Sequence, residues 1–234
     1  MRKYLIFLLS FLFVLTGVFY TGFKVSSSRT FQLSGELIHK VDTTEKVVAL
    51  TFDDGPTKNT GEVLDILKAL DVKATFFVTG REIEENMDEA KRIVLEEHEL
   101  GNHSYSHQRM VLKTPSFIEE EIDRTNALIR EAGYQGTIHF RPPYGKKLLV
   151  LPMVLNNKGI KTIMWDIEPE TYPEIAADSK EIIKHVVERI QPGSIILLHV
   201  MYESRRESME SIAGIVTELQ AQGYAFKTVS ELIE

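Results

Sequence analysis

The sequence predicts an α/β fold, and three observations support that prediction. From Lys46 onward, short apolar runs alternate with amphipathic stretches of helical spacing. The apolar runs have no polar face, which is typical of strands in a parallel sheet that helices cover on both sides. Seven such strand–helix units occur without a nucleotide-binding fingerprint, and this count favours a closed (β/α)7 barrel over an open sheet.

Seven apolar runs are the predicted strands, and six amphipathic stretches are the predicted helices. The strands are residues 47–52, 74–78, the lead into Asn102, 137–140, 161–164, 194–198 and 225–228. The helices are residues 61–70, 87–98, 116–132, 149–158, 179–190 and 207–222. Because a barrel of this kind collects its chemistry at the C-terminal ends of its strands, polar residues at those ends are the candidate site.

The first 28 residues are predicted to be a signal peptide or a membrane anchor. Arg2 and Lys3 precede an uncharged stretch, residues 4–23, that is long enough to span a hydrocarbon core. The small-residue pattern of a cleavage site is poor in "VFYTGFKVSSS", which favours an uncleaved anchor. The basic residues before the stretch keep the N-terminus in the cytoplasm, so the rest of the chain is expected at the extracellular face of the membrane or in the cell wall.

The remaining chain is expected to be a tether with a short extended lead-in, residues 29–45, followed by one domain, residues 46–234. Without residues 1–28, the chain keeps 24 basic residues against 34 acidic ones, a net charge of −10. This balance does not favour a nucleic-acid partner. The absence of cysteine excludes disulfides, a thiol nucleophile and thiolate metal ligands. We expect a monomer whose N-terminal segment contacts the membrane.

Two adjacent carboxylates, Asp53 and Asp54, stand in "TFDDGP" at the end of the first predicted strand. Adjacent residues on a strand point to opposite faces, so the two can converge only if the strand has already broken into a loop. The following Gly-Pro supplies such a break. An Asx-type turn with a helix cap is the alternative, and it explains one aspartate better than two.

Two histidines, His103 and His107, are spaced four residues apart in "HSYSH" after another predicted strand. On a helical turn this spacing places both rings on one side, where they can bind one cation. A surface coincidence is the alternative for an isolated pair. Two imidazoles and one carboxylate would form an open three-ligand set, which suits a catalytic metal that keeps a position for water.

Two further residues follow predicted strands. Arg141 begins "RPPYG", in which the prolines fix the course of the backbone, and its permanent charge could hold a carboxylate. The alternative is a purely structural turn. His199 ends "ILLH", and its position at a strand tip favours a proton-transfer role over a structural one.

Taken together, "TFDDGP", "HSYSH", "RPPYG" and "LLH" resemble, in this order, the motifs of the polysaccharide deacetylases with a NodB homology domain, carbohydrate esterase family 4. The resemblance covers roughly residues 45–234. It implies a distorted (β/α)7 barrel with a single catalytic domain of the NodB type. It also implies that Asp53 is the general base and that Asp54, His103 and His107 bind one divalent metal, zinc first, with cobalt or nickel as alternatives.

The resemblance assigns roles to five other residues. Arg141 would orient the base, the backbone N–H of Tyr144 would help to hold the oxyanion, and His199 would be the general acid. Leu197 and Trp165 would line the pocket for the acetyl methyl group.

The fourth motif departs from the family pattern. There the family has an aspartate, two residues, and then Asp-Trp, whose second aspartate steadies the catalytic histidine. Here Glu168, Thr171 and Tyr172 stand at those positions. We therefore expect either Asp166 or Glu168 to take over the hydrogen bond to His199.

The predicted function is hydrolytic removal of N-acetyl groups from N-acetylglucosamine residues of peptidoglycan or a chitin-like polysaccharide. The retained Asp54 favours this substrate over N-acetylmuramic acid, because members that act on the latter tend to lack the metal-binding aspartate. An O-acetyl esterase acting on xylan is one alternative. A non-catalytic protein that binds the cell wall is the other, suggested by the altered fourth motif.

Overall fold

An apolar helix, α1, begins the part of the chain that the computed structural model describes, residues 2–234. This helix, Arg2–Ser26, contains an 18-residue window, Leu9–Ser26, with a mean hydropathy of 1.5, of which 6% is buried. Its length and composition are sufficient to cross a membrane, and a signal sequence would have the same properties. Membrane insertion and cleavage of this segment therefore remain predictions.

The strands form parallel sheets around one central strand, β2. The seven strands are Leu37–Ile38 (β1), Val47–Asp53 (β2), Thr75–Val78 (β3), Glu99–Asn102 (β4), Thr162–Ile163 (β5), Ile195–Leu198 (β6) and Ala225–Lys227 (β7). The larger sheet has the order β4-β3-β2-β6, and β7 pairs with the first half of β2. The shorter sheet pairs β1 with β5. All of these pairs are parallel, as the sequence predicted.

Helices cover the sheets, and the six predicted helices are confirmed. After α1, the helices are Thr60–Ala69 (α2), Gly80–Glu85 (α3), Met87–Leu95 (α4), Pro115–Glu131 (α5), Val150–Asn157 (α6), Pro173–Ala176 (α7), Ser179–Arg189 (α8), Arg206–Ala221 (α9) and Val229–Ile233 (α10). Local capping fixes several of their ends. The hydroxyl of Thr114 accepts from the N–H of Phe117 ahead of α5, and Asp178 caps α8 in the same way.

The core explains why β2 lies at the centre. Every residue of this strand after Val47 is buried, because helices and neighbouring strands cover both of its faces. Phe52 packs its ring 5.1 Å from the ring of Phe76 on β3. The strand ends at Asp53, and Asp54 is the first residue beyond it.

One predicted strand is wrong, and one strand was missed. Residues 137–140 do not form a strand; Phe140 alone makes single bridges to Asn102 and Thr162. The run lies between Gly136 and Pro142, which has no backbone N–H to continue a ladder. Strand β1 was not predicted because two residues give no usable periodicity. Closure of the strands into a seven-stranded barrel remains a prediction.

Substituting Gly101 with alanine should destabilise the fold. A Cβ at this position of β4 would lie 2.4 Å from Cδ1 of Phe77 on β3. Overpacking of this kind costs about 1–3 kcal/mol, so the midpoint of urea unfolding should fall. The matched control is Gly61→Ala in α2, where the nearest atom is Nη1 of Arg92, the far end of a long side chain that can shift. Equal midpoints for the two variants would contradict this account of the β3–β4 contact.

Candidate active site

One cavity of about 270 Å³ brings together eight of the nine residues that the sequence singled out. Its wall includes Asp53, Asp54, His103, His107, Tyr144, Trp165, Leu197 and His199. The ninth residue, Arg141, is fully buried and contacts Asp53. The cavity lies at the C-terminal ends of β2 and β6, where the sequence placed the chemistry.

The two aspartates converge because the backbone turns between them. Asp53 is the last residue of β2, and Asp54 has a φ of 74°, in the left-handed region. This turn directs the Asp54 carboxylate towards the histidines. Its Oδ1 lies 3.8 Å from Nε2 of His103 and 3.3 Å from Nε2 of His107.

The two histidines present their Nε2 atoms to Asp54. Nδ1 of His103 lies 2.8 Å from the backbone carbonyl of Arg141. A carbonyl only accepts, so Nδ1 carries a proton and Nε2 is the nitrogen that faces Asp54. Burial and the neighbouring His103 lower the pKa of His107 to about 4. The His107 ring is therefore neutral near neutral pH, and the Nε2 atoms of both rings face the Asp54 carboxylate.

The three side chains fit a single divalent metal. One oxygen of Asp54 and one nitrogen from each histidine lie within 4.8 Å of one another. The Nδ1 hydrogen bond that orients His103 is the kind of outer contact that metal-binding histidines have. One carboxylate and two imidazoles suit zinc, cobalt or nickel and leave coordination positions open.

The loop that carries the histidines is held by Glu121 of α5. This buried carboxylate accepts from the N–H groups of Tyr105 and Ser106, at 3.0 and 2.8 Å. The side chain of Asn102 accepts from the N–H of Ser104 at 2.7 Å, and a φ of 66° at Ser104 then turns the chain. Because these bonds are internal to the protein, the loop is fixed without any metal.

Arg141 links the strands below the cavity. Its Nη1 donates to Oδ1 of Asp53 at 2.6 Å and to Oγ1 of Thr51 at 2.8 Å. The same guanidinium donates to the carbonyls of Ile163 and Met164 at 3.3 and 3.2 Å. Burial would raise the pKa of Asp53, but the charge of Arg141 holds it below its ordinary value. Asp53 is therefore ionised at neutral pH.

The hydrogen bond to His199 comes from Glu170, so the prediction of Asp166 or Glu168 is wrong. Glu170 accepts from the backbone N–H of His199 at 3.1 Å and contacts its Nδ1. Asp166 instead accepts from the hydroxyl of Ser194 at 2.7 Å. Glu170 stands one position before the expected aspartate, and its extra methylene group extends its reach. A search for any carboxylate near that position would have found it.

The partners of His199 set its charge. Burial would lower the pKa of its imidazole, but the hydrogen bond and the negative charge of Glu170, aided by Asp53 and Asp54, raise that pKa to about 9. The hydroxyl of Ser208 also donates to Glu170 and holds the carboxylate in place. His199 is therefore protonated at neutral pH.

Apolar and aromatic side chains form much of the rest of the wall, together with Glu168 and Arg205. Leu197 and Trp165 are almost fully buried, and Nε1 of Trp165 donates to Glu168 at 3.0 Å. Tyr144 has a φ of 58°, and its ring lies 4.7 Å from that of His107. Sequence reasoning missed Glu168 as part of the wall. It also missed Arg29, which contacts Glu168 across 139 positions of chain and carries no local signal.

Comparison with known proteins identifies relatives. The family model described as "Polysaccharide deacetylase" matches residues 40–163. The chain is 32% identical over 201 residues to a peptidoglycan-N-acetylglucosamine deacetylase of Bacillus cereus, with 86% of this chain and 94% of the relative covered. It is 32% identical over 206 residues to the peptidoglycan-N-acetylmuramic acid deacetylase PdaA of Bacillus subtilis, with 84% and 77% covered.

A solved structure shows the same fold. BA3943 of Bacillus anthracis, described as a CE4 family pseudoenzyme, superposes with a TM-score of 0.75 at 30% sequence identity. The alignment covers 86% of this chain and 70% of that one. The parallel α/β fold is therefore shared by proteins that differ in activity, and the residues of each site must decide between them.

Replacing Glu170 with glutamine should lower the pKa of His199 from about 9 towards the ordinary value near 6.5. The carboxylate charge of Glu170 stabilises the protonated ring, and the substitution removes that charge. Histidine chemical shifts recorded against pH in metal-free protein would measure the change. Glu168→Gln is the control, because Glu168 bonds Trp165 and should leave His199 unchanged. The account fails if Glu168→Gln shifts His199 more than Glu170→Gln does.

Proposed function

The chain belongs to the polysaccharide deacetylase family, and we propose that it removes N-acetyl groups from N-acetylglucosamine residues of peptidoglycan or a chitin-like polysaccharide. One observation carries this proposal: an ionised carboxylate, three side chains placed to hold one metal ion and a protonated histidine line a single cavity. Residues 46–234 would form the catalytic domain. The N-terminal helix would place that domain at the outer face of the membrane.

The metal would be held by Asp54, His103 and His107. A divalent metal bound there would lower the pKa of a coordinated water from about 16 towards about 7 and polarise the acetyl carbonyl. We expect zinc, with cobalt or nickel able to replace it.

Asp53 would act as the general base. Arg141 donates a hydrogen bond to Oδ1 of Asp53. The other oxygen of Asp53, Oδ2, lies 3.6 Å from Nε2 of His103. The free oxygen can therefore accept a proton from water beside the metal centre. A positioned base of this kind contributes typically 10²–10⁴-fold to the rate.

His199 would act as the general acid. An amine leaves readily only after protonation, and Glu170 keeps the His199 ring protonated. The backbone N–H of Tyr144 would stabilise the oxyanion of the tetrahedral intermediate. One oxyanion donor is worth about 3 kcal/mol in other hydrolases. Leu197 and Trp165 would receive the acetyl methyl group.

The charge around the cavity supports a wall polymer as substrate. Arg81, Arg109 and Arg205 line the cavities that surround the candidate metal centre. None of the three forms an ion pair within residues 2–234, whereas arginines on the outer helices pair with carboxylates. Glu82 and Glu85 offset Arg81 in its cavity, but the cavity of Arg109 also contains Lys113 and is lined by no carboxylate of the described residues. This positive surface favours an anionic substrate, and peptidoglycan carries carboxylates on its lactyl and peptide groups.

The complete site argues against a non-catalytic relative. Each residue to which a chemical role was assigned from the sequence is present, and Glu170 supplies the carboxylate that the fourth motif had seemed to lack. An O-acetyl esterase could use the same groups, so the substrate decides between the two activities.

Asp53→Asn should abolish acetate release while leaving the metal bound. We expect a loss of about 10²–10⁴-fold for the full chain in detergent micelles, because the amide cannot accept the proton. The substrates to compare are N-acetylglucosamine oligomers, peptidoglycan and acetylated xylan. Release from xylan alone would move the assignment to an esterase. No release from any substrate, with metal bound, would favour a wall-binding protein.

His107→Gln should remove the metal and activity together. Equilibrium dialysis against cobalt should give one bound ion per chain in the parent and much weaker binding in the variant, since one of three ligands is lost. His185→Gln is the matched control, because this histidine packs against Tyr172 on the outer helices. Equal cobalt binding by both variants would contradict the proposed ligand set.

A further inference from the structure

The last residue of the N-terminal helix and the three residues that follow it pack against the domain. This segment, residues 26–29, is called here the docking segment. The backbone carbonyl of Ser26 accepts from the N–H of Lys147 at 3.0 Å, and the carbonyl of Ser28 accepts from the Nζ of the same lysine. The hydroxyl of Ser27 accepts from Nζ of Lys146. Three successive residues therefore contact one loop of the domain.

Lys147 shows that this contact is built into the fold. Its side chain is 1% exposed, and ammonium groups are almost never so buried unless they have a partner. Among the described residues, its Nζ donates to Ser28. Burial, with a smaller effect of Lys146, lowers the pKa of Lys147 to about 8. A loose tether would leave this ammonium hydrated, so the docking segment covers it.

The docking segment ends at the wall of the cavity. The guanidinium of Arg29 lies 4.8 Å from the centre of the Trp165 ring and donates to Glu168. Glu168 also accepts from Nε1 of Trp165 at 3.0 Å and from the hydroxyl of Thr171 at 2.6 Å. Arg29, Glu168 and Trp165 thus form a closed group, of which the last two line the cavity.

We propose that Arg29 is a positioning residue for the acetyl pocket, delivered by the docking segment, so that the N-terminal helix is held against the wall of the active site. Arg29 acts through Trp165 and Glu168 and does not touch the reacting atoms. The inference rests on the proposed function for its catalytic consequence. The docking itself is independent of any activity.

The geometry limits how far the active site can lie from the end of the helix. Three Cα steps separate Ser26 from Arg29, a span of at most about 11 Å. The acetyl pocket would therefore sit close to the membrane surface and face glycan strands near it. A long flexible tether would allow a much wider range of distances between the active site and the membrane.

An isolated surface ion pair would not support this inference, since such pairs contribute about 0–1 kcal/mol. The Arg29 side chain is 38% exposed, but that of Glu168 is only 16% exposed, and Glu168 accepts from three donors at once. The aromatic contact and the buried Lys147 add two independent anchors.

The first test uses the fluorescence of Trp165, which is the only tryptophan in the chain. In the full chain in detergent micelles, Arg29→Gln should shift the emission to longer wavelength and increase quenching by acrylamide. It should also raise KM for N-acetylglucosamine oligomers about tenfold, equivalent to about 1.4 kcal/mol, with a smaller change in kcat. Arg29→Lys should restore part of both.

Arg124→Gln is the matched control for that test. Arg124 also lies over an aromatic ring, that of Tyr105, and pairs with a glutamate, but it does not contact Trp165. The tryptophan emission and the KM of the Arg124→Gln variant should remain those of the parent. Unchanged emission in Arg29→Gln would overturn the positioning role, whether or not the enzyme proves to be a deacetylase.

The second test measures the docking directly. Lys147 should resist acylation by an amine-reactive ester in the full chain, whereas exposed Lys58 should react, with both sites quantified by mass spectrometry. Burial is the main cause of the low pKa of Lys147, so a Lys147 that was exposed would regain an ordinary amine and react at a rate similar to that of Lys58. Rapid acylation of Lys147 in folded protein would therefore overturn the docking.

Discussion

The buried pair of Arg141 and Asp53 is the interaction on which the rest of the site depends. The guanidinium binds the carboxylate, a hydroxyl of β2 and two carbonyls near β5, while the backbone carbonyl of the same arginine fixes His103. One residue thereby sets the position of the proposed base and the ring orientation of a proposed metal ligand. Burying two charges costs several kcal/mol per ion before their attraction is counted, so stability alone does not explain the pair. It is better explained by the fixed geometry that it imposes.

Several backbone turns at the cavity are also energetically costly and also fix the geometry of the site. Asp54, Ser104, His107 and Tyr144 all have positive φ without being glycine, and each lies in or beside the cavity. The left-handed region costs an L-residue roughly 1–2 kcal/mol, so four such residues together store several kcal/mol. The buried acceptor Glu121 and the rigid strands that flank these turns hold them in place. Backbone strain of this kind is concentrated at functional sites, where it directs side chains that a relaxed backbone would place elsewhere.

Much of the architecture could be predicted because its signals are local. Apolar runs predict strand β2, and helical periodicity predicts helices such as α5. The location of the candidate site was predicted because polar residues at the C-terminal ends of parallel strands lie close together. The single bridge at Phe140 could not be predicted, because pairing depends on neighbours that are distant in sequence. Glu170 was missed because the expected aspartate position was treated as fixed, although a longer side chain one residue earlier reaches the same ring. Arg29 was missed because only the fold brings it to Glu168.

The pKa values of two groups in the cavity, Asp53 and His199, are shifted in opposite directions, and this contrast supports the roles proposed for them. Arg141 lowers the pKa of Asp53, while Glu170 raises the pKa of His199 to about 9. At neutral pH one group can only accept a proton and the other can only donate one, which is the pairing that hydrolysis of an amide requires. A carboxylate of low pKa is a weak base, so it can serve only beside a centre that makes water more acidic. The adjoining Asp54, His103 and His107 would provide that centre. The altered fourth motif is therefore compatible with catalysis, because Glu170 preserves the charge on which the acid depends.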